Sequence, residues 1–173
     1  MKKIFNFDEL WPDIVELENK AENLVKFHEA KNQDMARDTL YSEEAVKAFL
    51  KPLYTLEKRK SWEHDIIALV KDNPEKIECK SNDGETYFLT GFTINLVWRY
   101  SKNVDAYPTI YFGARIYHKE KTVEVTHWQD AVKIRKFCED NFEKLSNFKR
   151  KRAGKDGIKS WCVVPYDEWR EIK

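Results

Sequence analysis

Glu78 and Lys80 stand two residues apart in "KIECKSNDGETYF", a run that reads as a strand, so both side chains point to one face. Metal-assisted hydrolysis needs two or more carboxylates converging on an ion, and this pair by itself supplies one. The same alternation also fits the wet face of an edge strand, where opposite charges are ordinary. A second constellation lies further along. Thr93, Asn95 and Arg99 on one expected strand share a side with Tyr111, Arg115 and Tyr117 on the next. Tyrosine and arginine planes stack on splayed bases and equally serve protein partners. The third is the stretch "SNFKRKRAGKDGIKSW", residues 146–161, which holds six of the 31 basic residues and a single acid. Its Lys149, Arg150, Lys151, Arg152, Lys155 and Lys159, spaced by Gly154 and Gly157, read as a pliable basic loop that grips phosphates or an acidic protein surface.

Over Glu78-Cys79-Lys80 the chain resembles metal-dependent nucleases of the PD-(D/E)xK type. The resemblance implies a Mg²⁺ ion bound at the pair, a polarised water, and an acid one strand earlier to complete the site. Asp65 and Asp72 are the acids at hand. Asp65 falls in a segment that reads as a helix from about Ser61, and Asp72 at the end of that helix, so neither is expected on the strand the motif requires. Glu78 and Lys80 therefore remain candidates, and the sequence assigns no catalytic set, no metal ligands and no cofactor.

Other catalytic signatures are missing from the sequence. The five glycines form neither GxGxxG nor GxxxxGK[ST], and there is no GxSxG elbow. His28, His64, His118 and His127 lack metal-ligand spacing, although His118 and His127 are candidates to converge across a hairpin. Cys79, Cys138 and Cys162 show no CxxC spacing, and their odd number suits a reducing compartment. No segment approaches the roughly 18 uninterrupted apolar residues of a membrane span. Acids at Asp8 and Glu9 interrupt the N-terminus before any signal-like apolar run. A cytoplasmic protein without membrane contact is expected.

The net charge of +1 conceals a gradient. Residues 1–57 carry 8 basic and 12 acidic residues, while residues 131–160 carry 10 and 4. Such asymmetry aims one face at a charged partner without making the whole chain a polyanion binder.

The elements that must position these groups change period along the chain. Ile14, Leu17, Ala21 and Leu24 recur at helical intervals after Pro12; Ser42 with Glu43 and Glu44 reads as a helix start before Ala45, Val46, Phe49 and Leu50. Pro52 should end that helix. Period two then takes over from Phe88 to Tyr100, from Ile110 to Tyr117 and from Thr122 onward, with "HKEK" as a hairpin link and "NDG" as a tight turn after "KIECKS". Thr126 and Gln129 match a capping box for a helix bearing Ala131, Ile134, Cys138, Phe142 and Leu145. "IKSWCVV" reads as a strand and "PYDEWREI" as a closing helical turn. The fold class read from this order is α+β: N-terminal helices, a mostly antiparallel meander of about three to five strands packed by a helix, a closing strand and a short C-terminal helix. It forms a single domain, residues 1–173, with a helical part over 1–72 and a sheet-plus-helix core over 75–173.

Three functions follow as expectations. The first is a non-enzymatic module that contacts nucleic acid or a nucleoprotein through the basic loop at 149–159 and the Tyr/Arg face. The second is a protein–protein interaction domain, an adaptor or inhibitor without nucleic-acid binding. The third is a Mg²⁺-dependent nuclease-like enzyme using Glu78 and Lys80. Surface charge and aromatic residues, without an evident catalytic set, favour binding over catalysis.

Overall fold

A computed structural model describes residues 2–26, 30, 32–57, 65–71, 73–84, 87–93, 108–141, 150–151 and 158–173, with backbone alone at 87, 89–93, 150–151 and 158–162. The chain opens with β1 (Ile4–Asn6), α1 (Phe7–Leu10) and α2 (Ile14–Lys26), followed by the long α3 (Gln33–Leu50). Asp13 starts α2, its carboxylate accepting from the amides of Val15 and Glu16 at 2.9 and 3.0 Å. Asn32 caps α3 by accepting from Met35 N at 2.9 Å. Ser42 is therefore not a helix start: it lies inside α3 and its hydroxyl donates to Thr39 O at 2.8 Å. A two-pronged Arg37–Glu18 pair, at 2.7 and 2.8 Å, ties α3 to α2.

Strands follow: β2 (Thr55–Glu57), β3 (Ile66–Val70), β4 (Asn73–Asn82), β5 (Tyr87–Thr93), β6 (Ile110–Tyr117) and β7 (Thr122–Asp130). The helix expected from Ser61 is thus corrected at Ile66–Val70, which is strand. Its short apolar run pairs with β4, and Val70 meets Asn73 across a reversal that puts Lys71 at φ 50°. The last elements are α4 (Ala131–Asp140), β8 (Arg150–Lys151), β9 (Ile158–Pro165), a 3-10 turn at Tyr166–Glu168 and β10 (Arg170–Glu171). The closing helix is therefore a single 3-10 turn, and the chain then pairs β10 with β7.

The α+β class holds, but the sheet differs from the expected meander. Seven strands form a mixed sheet in the order β1-β7-β6-β4-β3-β2, with β10 also on β7. β4 and β6 run parallel, so a crossover must separate them in sequence. β5 lies within that crossover and belongs to a second sheet, β5-β9-β8. The "NDG" segment therefore leads from one sheet to the other and does not close a hairpin. The "HKEK" hairpin between β6 and β7 forms as read.

Each face of the large sheet has its own core. Ile66, Ala68, Ile77, Cys79, Phe112, Ala114, Ile116, Val123 and Val125 pack under Leu40, Val46 and Phe49 of α3. Phe88, Ile134, Cys138, Val164 and Trp169 pack together on the other side, with Tyr111 and Tyr166 against them. A bulge between Gly113 and Ala114 makes this possible: Ala114 faces Val125, whereas Gly113 faces His127. The extra residue inverts the alternation of β7, sending His127 and Gln129 to the face opposite Val123 and Val125. Gln129 there donates to Glu168 O at 2.8 Å, and Thr126 to Gly113 O at 3.4 Å, so neither builds the expected capping box. Among the described residues, no helix is long and apolar enough to cross a membrane.

Candidate active site

β3 and β4 are paired only from Ile66↔Ile77 onward, whereas β4 runs on through Glu78–Asn82 beside β6. The result is a fork in the sheet. Asp65, one residue before β3, sits at its apex, and its Oδ2 accepts from Cys79 N at 2.6 Å. A carboxylate thus takes the place of a strand neighbour for the β4 amide that β3 has left behind.

Glu78 and Lys80 flank that amide. Cys79 points into the core beneath α3, so its neighbours project to the other face of the sheet. Lys80 Nζ lies 2.6 Å from Glu78 Oε1, with side-chain exposures of 16% and 26%, partly withdrawn from water yet reachable. Lys80 also stands over the Tyr111 ring, 5.9 Å from its centroid. Glu43, buried in α3, adds its charge from the other side of the sheet.

The electrostatics follow from this crowding. Burial, then the charges of Glu78 and Glu43, push the Asp65 carboxyl well above the usual carboxylate range, against the pull of Lys80 and the Cys79 amide. Burial alone would lower the Lys80 ammonium, but Glu78 and Asp65 outweigh it and hold the group above its ordinary value. Burial, with the same acids behind it, pushes the Cys79 thiol well up, so it is no nucleophile. Two acids, Glu78 and Asp65, thus act on Lys80, and Glu43 acts on Asp65.

This donor set fits a hard divalent cation. Carboxylate oxygens are the ligands such an ion takes, and the charges crowding Asp65 favour binding of positive charge there, a proton included. Among the described residues no three His, Cys, Asp or Glu side chains are grouped to cage a metal by themselves. Mg²⁺ does not require such a cage, because it keeps several waters and is held by one or two carboxylates plus substrate phosphate. Asp65 and Glu78 would supply those carboxylates.

The remaining sequence candidates separate. Tyr111 is half-buried with its ring edge-on to Trp169 at 6.3 Å, and Tyr117 donates to Glu124 at 3.1 Å. Arg115 donates to Gly84 O at 3.3 Å and stands over the Tyr117 ring. Of the expected Tyr/Arg platform, Tyr111 is packed against the second core, whereas Arg115 and Tyr117 are partly exposed. Arg150 and Lys151 form β8 and pair antiparallel with Lys159 and Ile158 of β9, so these residues of the expected basic loop are strand. Arg99, Lys149, Arg152 and Lys155 lie outside the described residues. His118 and His127 do not converge: His118 reaches Asp38 at 3.5 Å, whereas His127 is buried against Tyr166 and Phe88. Asp65 was weighed for the acid one strand earlier and set aside because its segment read as helix; Glu43 was missed as a site residue. The signal for Asp65 was the apolar run Ile66–Val70 just before "DNPEK", a strand-and-turn pattern that helical periodicity obscured.

The sequence matches no model of a known protein family and no curated protein.

Proposed function

We propose that the protein is a Mg²⁺-dependent phosphodiesterase acting on nucleic acid, a nuclease-like enzyme with its centre at the β3–β4 fork. The observation that carries this reading is Asp65 at the apex, bonded to the amide between Glu78 and Lys80. It supplies the acid one strand earlier that the ExK pair requires. Asp65 and Glu78 would hold the ion. Bound there, Mg²⁺ would polarise the phosphodiester and lower the pKa of a water. Lys80 orients that water or offsets charge gathering on the phosphoryl oxygens. The basic stretch around β8 and β9 adds sequence-independent phosphate contacts.

The test is cleavage of labelled single- and double-stranded oligonucleotides in Mg²⁺, with a chelator control. Glu78→Gln, Asp65→Asn and Lys80→Met should each lower the rate by about a hundredfold or more. Binding without cleavage in Mg²⁺ or Mn²⁺ would return the protein to the non-enzymatic binding modules.

A further inference from the structure

On the face that carries Lys80, the next row of the sheet is also polar. Asn82 follows Lys80 by two residues on β4, and Arg115 of β6 is its direct partner. Two strand rises separate the rows by roughly 6.6 Å, the scale of one nucleotide step along a nucleic-acid backbone. Asn82 Nδ2 donates to the Tyr166 hydroxyl at 2.7 Å, which leaves Tyr166 a proton to give.

Two polar atoms beside this row have no partner. Arg115 Nε is buried without a hydrogen bond, and so is Nδ1 of His127, whose ring lies 4.2 Å from that of Tyr166. Orphaned groups of this kind need an explanation, and a ligand-binding role is one. The charge favours an anion. Among the described residues no carboxylate lies within ion-pair distance of Arg115; Glu124, opposite it in register, is held by Lys3 at 3.2 Å and by Tyr117. A guanidinium with a free Nε–H suits the planar recognition of a phosphate.

We infer that Arg115, with Asn82 and Tyr166 beside it, forms a second phosphate position that holds the phosphodiester next to the scissile one. The identity of the ligand rests on the phosphodiesterase reading of the fork. Arg115 is a binding residue here, one nucleotide away from the bond that breaks.

The experiment compares wild type, Arg115→Gln and Arg115→Lys in two arms. In metal-free buffer, anisotropy of a labelled single-stranded oligonucleotide is followed across a salt series. In Mg²⁺, hydrolysis of that oligonucleotide is compared with hydrolysis of bis(4-nitrophenyl) phosphate, which offers a single phosphodiester. Arg115→Gln should weaken oligonucleotide binding and raise its KM by about tenfold. It should reduce the salt slope by about 0.7 and leave the small diester unaffected. Arg115→Lys, which keeps the charge and loses the planar fork, should keep the slope and lose part of the affinity, so the inference survives a folding defect in the glutamine variant. Wild-type values in both variants would overturn the second position while leaving the fork's activity intact. Arg115-dependent binding without any cleavage would keep the position and remove the phosphodiesterase. Wild type that binds no oligonucleotide would remove both.

Discussion

His127 is 9% exposed, packed on Tyr166 and Phe88, with one ring nitrogen unsatisfied. Burial lowers its pKa; Glu171 and Glu124 oppose the shift and Lys3 adds to it. The folded protein therefore favours the neutral imidazole more than the unfolded chain does. Stability on this account is full above about pH 6.5, the unfolded value, and declines as the pH falls through it. Urea midpoints across a pH series should show a shallower acid limb for His127→Gln than for wild type; identical limbs would assign the loss to other groups. At this scale the sequence was informative for Glu78 and Lys80, because residues two apart on a strand share a face whatever surrounds them. It was uninformative for His127, and it offered Asp65 as an acid without placing it beside β4. A bulge aims the first, and a fork that depends on where β3 ends positions the second.

Gly113 shows how elements set such positions. Its missing side chain admits the Phe88 ring onto the sheet, and an added Cβ would penetrate that ring. Gly113→Ala should cost about 1–3 kcal/mol through overpacking, read as a lowered urea midpoint with an unchanged slope. A neutral result would mean that Phe88 turns aside freely. The strands β6 and β7 and their hairpin were legible because period two persists through each. Two helix starts were misread for one reason. Ser42 and Thr126 have the chemistry of caps, yet a polar side chain can donate to a nearby carbonyl as easily as cap an amide. Which of these it does depends on backbone direction, and the longer element won: α3 begins at Gln33 after its cap Asn32, and β7 continues to Asp130. The segment 66–70 was misread because a short apolar run fits a buried helix turn and a buried strand alike.

Across the whole molecule, the fork gathers Glu43 from α3, Asp65 before β3, and Glu78 with Lys80 from β4. The charges of Glu78 and Glu43 disfavour an ionised Asp65 beyond what Lys80 offsets, so the metal binding proposed for the fork should be coupled to folding. Mg²⁺ at about 100 times its Kd should add roughly 2.7 kcal/mol to stability, seen as a higher melting midpoint in wild type. Glu78→Gln should lose most of that response, and an equal rise in both proteins would place the ion elsewhere. The sequence by itself determined the α+β class, the β6–β7 hairpin, the charge gradient and the shared face of Glu78 and Lys80, all properties of local periodicity and composition. Only the tertiary structure decided that the sheet is mixed, that its second face is covered by Phe88 and Trp169, and that Asp65 bonds to the amide between Glu78 and Lys80. Those depend on which strands become neighbours, and strand pairing joins residues far apart in the chain through backbone groups that carry no side-chain signature.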